Sequence, residues 1–396
     1  MSRPLSWLDD ALEQLQADGL KRERQVSETL TSFASNDYLG LSHDPRVIDA
    51  ASAALKRFGV GAGASALVTG YTDCHRELET VLAEFEGEES AILFPSGYAA
   101  NVGTITALVG AEDVVFCDRL NHASLVDGCR LSKAHFQVFR HDQLERLERR
   151  LQQTDGYRRR FIVTDSIFSM DGHAADLPTL CDIAERHDAA VIVDEAHATG
   201  LLGKHGRGVT ESQGVADRVA VRIGTLSKAI GTLGGFVAGP QSLTDWLWNS
   251  ARSQMFSTAL PPAICAAATT AIRIIQAEPE RRQHVMSLAD SLRAKLVQSG
   301  FVIPDDGVSA IIPVILGQPE ITIDWAAELE TRGFLVGAIR PPTVPTGTSR
   351  LRIAVRADHT TEDVDGLIEC LLDLQRTYSM SASCSPSAST SVERVS

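Results

Sequence analysis

The chain has 396 residues, of which 44% are hydrophobic and 22% charged, and its formal net charge is −14. This length exceeds the size at which one hydrophobic core stops growing, so we expect two lobes around a cleft. The negative charge and the absence of a basic block argue against nucleic-acid binding. The apolar runs, such as 161–164 and 189–193, are too short to cross a membrane, which predicts a cytoplasmic protein.

The seven cysteines form an odd set without a C-x-x-C pair. That pattern disfavours both a disulfide framework and a zinc site, so we expect no metal.

The first 45 residues predict a helix followed by a linking segment. Apolar residues recur at helical spacing between Leu5 and Arg24, which indicates an amphipathic helix that packs against another surface. A turn-rich segment at 35–40 precedes a predicted helix at 45–58, which leads to the glycine-rich run at 59–63.

Residues 46–260 predict a large α/β domain. Short β-branched runs alternate there with helical stretches, which favours a mainly parallel sheet covered on both faces. The predicted strands are 91–94, 114–117, 135–139, 161–164, 191–194, 219–224 and 235–238, and the predicted helices between them include 98–108, 143–152 and 177–187.

Residues 261–377 predict a connecting helix and a smaller α+β domain. A long helical region at 262–298 leads to strands at 311–316 and 351–354 that flank a helix at 323–332. The serine-rich segment 378–396 is of low complexity and is predicted to be disordered, because it cannot bury enough apolar surface to offset its ordering entropy.

An acid and a lysine follow two successive predicted strands. Asp194 ends the strand 191–194 and is followed by His197, and Lys228 comes just after the next strand, beside Thr225. Because open α/β sheets bind ligands at the carboxyl ends of their strands, we expect these side chains to meet. A lysine amine, a carboxylate for the pyridine nitrogen and donors for a phosphate are what a pyridoxal phosphate site requires.

The phosphate donors are predicted at the start of the helix 98–108. Ser96, Gly97 and Tyr98 open that helix, so their backbone N–H groups form an anion site, and Thr225 can add a hydroxyl. Taken singly, Asp194 also fits a helix N-cap, Lys228 a surface charge and Gly97 a turn glycine. Together they predict a pyridoxal phosphate enzyme, with His197 on the ring hydroxyl.

Several stretches resemble the α-oxoamine synthases, a family of fold-type I pyridoxal phosphate enzymes, from about residue 5 to 375. The matching stretches are 35–41, 118–124, 169–172, 194–197, 256–262 and 338–345. The resemblance implies an aspartate-aminotransferase-like fold and a homodimer with a shared active site.

The resemblance also implies roles for individual residues. Lys228, His122 and Asp194 would be catalytic; Gly97, Tyr98, Ser169, Asp194, His197, Thr225 and Lys228 would bind the cofactor; Arg22, Asn36, His122, Arg340 and Thr343 would bind substrate; and Thr258 would reach the phosphate of the neighbouring subunit. Arg340 would hold the carboxylate of the amino acid, for which a planar fork of donors is suited. Which of Lys21, Arg22 and Arg24 contacts the acyl substrate is left open.

The implied reaction joins L-alanine to a pimeloyl thioester, carried by coenzyme A or a carrier protein, with loss of carbon dioxide, in biotin biosynthesis. Gly70–Tyr71 and the run 340–343 favour this branch of the family. Related branches use glycine or serine instead, as in glycine C-acyltransferases, 5-aminolevulinate synthases and serine acyltransferases. Catalytic residues alone do not separate these branches.

The sequence is less consistent with two other classes of protein, an oxidoreductase and a non-catalytic homologue. The segment 61–66 fits the dinucleotide pattern G-x-G-x-x-G/A, but it follows a predicted helix rather than a strand, which disfavours an oxidoreductase. A non-catalytic homologue would be inactive despite keeping Lys228, Asp194, His197 and His122.

Overall fold

The computed structural model describes residues 4–22, 24, 26, 30–304 and 307–384, with side chains up to residue 378. Helix α1 (Trp7–Ala17) is shorter than the predicted span of 5–24, and none of its residues is buried. Strand β1 (Thr31–Ser32) follows it and pairs with β10 (Phe334–Leu335). The N-terminal segment is therefore tied to the C-terminal part of the chain.

A seven-stranded sheet forms the centre of the molecule. Its strands are β2 (Ser90–Phe94), β3 (Val114–Asp118), β4 (His135–Phe139), β5 (Arg160–Asp165), β6 (Ala189–Asp194), β7 (Val221–Thr225) and β8 (Gly235–Gly239), in the order β2-β8-β7-β6-β5-β3-β4. Only β8 runs antiparallel to its neighbours. The predicted mainly parallel sheet is confirmed.

Both faces of this sheet are apolar, as a parallel sheet between helical layers requires. In β3, Val114 and Phe116 belong to one buried cluster, whereas Val115 and Cys117 belong to a second cluster on the opposite face. Since side chains alternate along a strand, a continuous apolar run supplies both layers. The covering helices are α2 (Pro45–Phe58), α3 (Asp73–Glu86), α4 (Gly97–Leu108), α5 (Ala123–Leu131), α6 (Leu144–Leu151), α7 (Leu177–Arg186), α8 (Val209–Ser212), α9 (Gln241–Ser250) and α10 (Arg252–Met255).

The C-terminal part contains a three-stranded antiparallel sheet and long helices. The predicted helical region 262–298 is two helices, α11 (Pro262–Ala277) and α12 (Pro279–Gln298), because Pro279 cannot continue the first helix. The remaining elements are β9 (Ile311–Gly317), α13 (Pro319–Thr331), β11 (Gly337–Ile339), β12 (Ser349–Ala354) and α14 (Thr361–Cys384), with the sheet in the order β11-β12-β9.

Helix α14 corrects part of the predicted disordered tail. The helix continues to Cys384, so residues 378–384 are helical, whereas 385–396 lie outside the described residues. The glycine-rich segment 61–66 lies between α2 and a π-helical turn at Ala66–Gly70 and does not follow a strand. It therefore lacks the setting of a dinucleotide fingerprint. Across the described part of the chain, no helix has the length and apolarity needed to span a bilayer.

Candidate active site

A cavity of about 220 Å³ lies at the carboxyl ends of the central strands. Its walls include many of the predicted site residues: Gly97, Tyr98, His122, Asp194, His197, Thr225 and Lys228. Asn101, Ser124 and Asp165 also line it and were missed by the sequence reasoning. The strand ends bring these groups together because parallel strands present their carboxyl ends at one edge of the sheet.

Lys228 follows β7 and is half-buried. Burial lowers the pKa of its amine. The negative charges of Asp194 and Asp165 oppose this shift, and the positive charge of Arg352 adds to it. A larger share of the amine is therefore neutral near pH 7 than for an ordinary lysine. A neutral amine is what both nucleophilic attack and proton abstraction require.

Two carboxylates stand side by side at the ends of β5 and β6. Asp165 and Asp194 are directly paired in the sheet register. Asp194 accepts hydrogen bonds from the Asn101 side-chain amide at 2.6 Å and the Ala196 N–H at 2.7 Å. Burial, together with the charge of Asp194, raises the pKa of Asp165 well above its usual range. The raised pKa favours the protonated form of Asp165.

His197 forms a hydrogen bond with a tyrosine that the sequence reasoning did not name. The Tyr38 hydroxyl lies 2.7 Å from His197 Nδ1. Burial lowers the pKa of His197 well below its usual range and raises that of Tyr38, so both groups stay neutral. The Tyr38 hydroxyl also donates to Asn36 Oδ1 at 3.1 Å, so the tautomer of His197 depends on which of the two partners receives the single hydroxyl proton.

His122 caps the start of α5 and faces the same cavity. Its Nδ1 lies 2.7 Å from Ser124 Oγ, and its backbone N–H donates to Asp165 at 2.6 Å. Burial lowers the pKa of His122, which favours a neutral ring. Asn101 donates to both Ser124 and Asp194, so one network orients the imidazole and the carboxylate.

The start of α4 forms a close cradle opposite Lys228. Ser96 caps this helix by accepting from the Ala99 N–H at 3.1 Å. A Cβ added at Gly97 would lie 3.0 Å from Thr225 Oγ1, so only glycine leaves this space open. Tyr98 is half-exposed, and its hydroxyl donates to Asp127 at 2.5 Å.

Arg352 on β12 is a further cation beside this site, and the sequence reasoning missed it. It is 6% exposed and donates to the Ser169 carbonyl at 2.6 Å, to Asn36 Oδ1 at 3.1 Å and to Tyr38 Oη at 3.4 Å. Ser169 and Asn36 thus reach the site through Arg352 rather than by lining the cavity. The alternation of arginines with apolar residues in β12, Arg350-Leu351-Arg352-Ile353, was the available signal.

Arg340 lies elsewhere, which corrects the predicted grouping. Its guanidinium donates to the Lys21 carbonyl at 3.0 Å, and it lines another cavity together with Lys21 and Arg22. Arg22 donates to Thr343 Oγ1 at 3.3 Å. The chain therefore separates Arg340, Arg22 and Thr343 from the cavity around Lys228.

Thr258 does not line the Lys228 cavity either. It pairs with Ser65 in an isolated β-bridge and lines a small cavity with Tyr71 and His75.

The groups around the 220 Å³ cavity beside Lys228, called the first cavity below, fit pyridoxal phosphate. The open space at Gly97, the N–H groups at the start of α4 and the Thr225 hydroxyl suit a phosphate. Asn101 Oδ1 is buried without a hydrogen-bond partner among the described groups, so this acceptor is available to a bound ligand. Lys228 and Asp194 supply the amine and the anion that this cofactor requires.

Comparison with known families matches residues 28–371 to the aminotransferase class I and II family. The chain belongs to that family. Among relatives of this family member, the 8-amino-7-oxononanoate synthase 2 of Bacillus subtilis is 46% identical over 376 residues, which cover 92% of this chain and 96% of the relative. The 8-amino-7-oxononanoate synthase of Anaeromyxobacter dehalogenans is 48% identical over 379 residues, which cover 93% and 95%.

Solved structures of the family superpose closely on this one. The serine palmitoyltransferase of S. paucimobilis with a bound PLP–myriocin aldimine has a TM-score of 0.89 at 32% identity, covering 96% of this chain and 100% of its own. The 8-amino-7-oxononanoate synthase of Francisella tularensis has a TM-score of 0.77 at 26% identity, covering 89% and 100%. These similarities confirm the predicted fold-type I architecture, the pyridoxal phosphate cofactor and an enzyme of the acyltransferase class.

Proposed function

We propose that this enzyme condenses L-alanine with a pimeloyl thioester, with loss of carbon dioxide, to give 8-amino-7-oxononanoate and a free thiol in biotin biosynthesis. The convergence of Lys228, Asp194 and His122 on one cavity supports pyridoxal phosphate chemistry, and the named relatives support the choice of alanine with a pimeloyl thioester. Relatives that are 46–48% identical over more than nine-tenths of the chain bear the name of this activity.

Each part of the cofactor has a partner in the first cavity. Lys228 would bind its aldehyde carbon, Asp194 would face the pyridine nitrogen, and His197 would donate to the ring hydroxyl. The N–H groups of Gly97 and Tyr98, with the Thr225 hydroxyl, would hold the phosphate. Ser169 would contact the cofactor beside Arg352, and His122 would lie against the ring. When bound, pyridoxal phosphate acts as an electron sink for the bonds broken at the amino-acid Cα.

Lys228 is the base of the proposed reaction. Once L-alanine has displaced it, its free Nζ takes the proton from the Cα of alanine and later returns a proton to the product. The lowered pKa of this amine supports the role, because a neutral amine accepts a proton without first losing one. The raised pKa of Asp165 favours a lower total negative charge at the strand ends.

Arg352 replaces Arg340 as the proposed partner of the alanine carboxylate. The Arg352 guanidinium contacts Asn36, Tyr38 and the Ser169 carbonyl. Its positive charge also lowers the pKa of Lys228. A planar fork can bind a carboxylate through two parallel hydrogen bonds. Asn36 would orient that fork, and His122 would stand across the cavity.

The acyl donor would approach from the side of Thr343. Of Lys21, Arg22 and Arg24, we assign this contact to Arg22, because its side chain reaches Thr343. The donor would be pimeloyl-coenzyme A or a pimeloyl carrier protein, which present the same thioester. Thr258 does not line the Lys228 cavity of its own chain, which is compatible with a homodimer in which it completes the neighbouring site.

Activity with glycine or serine is the competing proposal. The solved serine palmitoyltransferases are 32–34% identical and the solved 8-amino-7-oxononanoate synthase is 26% identical, whereas other 8-amino-7-oxononanoate synthases reach 48%. The higher identity favours alanine and a pimeloyl thioester. The competing activity would need different side chains around the alanine methyl group.

The test is a matrix of amino acids and acyl thioesters given to the purified holoenzyme. Alanine, glycine and serine are each paired with pimeloyl, acetyl, succinyl and palmitoyl thioesters. Thiol release gives the rate, and mass spectrometry gives the mass of the product. Alanine with the pimeloyl thioester should have the highest kcat/KM. A better pair of any other composition would refute the proposal.

A further inference from the structure

Helix α4 carries a buried asparagine one turn after the glycine of the phosphate cradle. Gly97 and Asn101 are four positions apart, so they lie on the same face of the helix, and both line the first cavity. Asn101 is 2% exposed, although asparagine is a poorer helix former than alanine and its amide is costly to bury without hydrogen bonds. Its presence in α4 therefore indicates a task at the cavity rather than a contribution to helix stability.

Both hydrogens of the Asn101 amide are used inside the site. The Nδ2 group donates to Asp194 Oδ2 at 2.6 Å and to Ser124 Oγ at 2.8 Å. The other carboxylate oxygen, Asp194 Oδ1, accepts from the Ala196 N–H at 2.7 Å. Because each oxygen receives a donor of its own, the two hydrogen bonds fix the plane of the Asp194 carboxylate.

The unpaired oxygen of the same amide shows which contact sets its orientation. Asn101 Oδ1 is buried without a hydrogen-bond partner among the described residues, which is uncommon for a buried polar atom. Turning the amide over would place Oδ1 against the Asp194 carboxylate, where two acceptors repel each other. The contact with Asp194 therefore outweighs the cost of the unpaired acceptor.

Ser124 links the amide to His122 on another wall of the cavity. Ser124 Oγ lies 2.7 Å from His122 Nδ1, and the Ser124 backbone N–H donates to the same nitrogen at 3.3 Å. Because a backbone N–H can only donate, Nδ1 is an acceptor, and the neutral imidazole carries its proton on Nε2. One amide thus orients two groups of the site, and removing Ser124 separates the two effects.

We propose that Asn101 is a positioning residue that holds the Asp194 carboxylate against the pyridine nitrogen of the cofactor. This inference rests on the proposed function, to which the placement of Asp194 at that nitrogen belongs. Asp165 stands beside Asp194 in the sheet register, and neighbouring carboxylates repel each other when both are ionised. The Asn101 amide keeps Asp194 in place against this repulsion. Helix α4 then serves both ends of the cofactor, the phosphate through Gly97 and the ring nitrogen through Asn101.

The experiment compares pyridoxal phosphate with its 1-deaza analogue, in which a C–H group replaces the ring nitrogen. Absorbance titration of the apoenzyme gives both dissociation constants without any turnover. The unsubstituted protein should prefer pyridoxal phosphate, and Asn101→Ala should reduce this preference about tenfold, the effect of losing one hydrogen bond to a charged group. Asn101→Leu removes the amide but keeps a side chain of similar volume, so it should give the same result without leaving a cavity.

Ser124→Ala is the matched control. It removes one partner of the Asn101 amide and leaves the hydrogen bond to Asp194. Its preference for pyridoxal phosphate over the analogue should stay within about twofold of that of the unsubstituted protein. An equal loss of preference in Ser124→Ala and Asn101→Ala would mean that any disturbance of the site has this effect, and it would overturn the assignment of Asn101.

The remaining outcomes separate this inference from the proposed function. If Asn101→Ala kept the preference while Asp194→Asn lost it, Asp194 would face the ring nitrogen without help from Asn101, and only the inference would fail. If the unsubstituted protein bound both ligands equally, Asp194 would not face that nitrogen, and the proposed placement of the cofactor would fail together with the inference. The choice of alanine and a pimeloyl thioester is decided independently by the matrix of substrates.

Discussion

The choice between Arg352 and Arg340 as the carboxylate-binding residue gives a sharp prediction. Arg352→Lys keeps the positive charge but loses the planar fork, so it can no longer hold both carboxylate oxygens of L-alanine. One hydrogen bond to a charged group is worth about 1.5–3 kcal/mol. The loss of one of the two bonds therefore predicts a fall in kcat/KM for alanine of up to roughly 100-fold, or about 2.7 kcal/mol.

The substitution also has a structural cost that can be separated from binding. Arg352 satisfies the Ser169 carbonyl and Asn36 Oδ1 in a buried setting. Leaving the Ser169 carbonyl without this donor should lower the free energy of unfolding by about 1–3 kcal/mol, whereas Asn36 Oδ1 keeps a hydrogen bond from the Tyr38 hydroxyl at 3.1 Å. Thermal unfolding measures this cost, whereas steady-state kinetics at saturating pimeloyl thioester measure the KM for alanine. The KM for the thioester should change little.

Arg340→Gln is the comparison variant. Among the described residues, the Arg340 guanidinium donates to the Lys21 carbonyl, outside the first cavity, so its loss should leave the alanine KM within about twofold. If Arg340→Gln raised the alanine KM more than Arg352→Lys did, the assignment drawn from the geometry would be wrong.

Three other predictions concern the cofactor site and the response to pH. Lys228→Ala should abolish thiol release while the circular dichroism spectrum stays native, and residual turnover at the normal rate would contradict its role as base. Gly97→Ala places a Cβ 3.0 Å from Thr225 Oγ1, so the affinity for pyridoxal phosphate should fall about tenfold in a spectroscopic titration, with unchanged affinity counting against the phosphate cradle. Burial raises the pKa of Glu79 from 4.5 to about 7, so in that window the folded state binds more protons than the unfolded state, and the stability contributed by Glu79 falls as pH rises. Glu79→Gln should therefore show a smaller drop in Tm between about pH 5 and pH 8 than the unsubstituted protein, and equal drops would refute this reasoning.

Much of the site followed from local patterns. Asp194, Thr225 and Lys228 are each adjacent to the carboxyl end of a β-branched run, and Gly97 opens a helix directly after another. Once a parallel sheet is predicted, these positions meet at one edge whatever the exact strand order. The segment 262–298 shows the limit of the pattern, because helical periodicity continued across Glu278 and Pro279 while the backbone did not.

The sequence by itself determined the alternating α/β architecture, the family resemblance and the groups that belong to the strand ends, because hydrophobic periodicity and strand-end chemistry are local properties. Only the tertiary structure decided that Arg352 rather than Arg340 stands beside Lys228, that Tyr38 supports His197, and that Asp165 shares the strand edge with Asp194. Tyr38 lies 159 positions from His197 and Arg352 lies 314 positions from Tyr38. Such contacts are fixed by how β12 packs against the segments around Asn36 and Ser169, which no local pattern encodes.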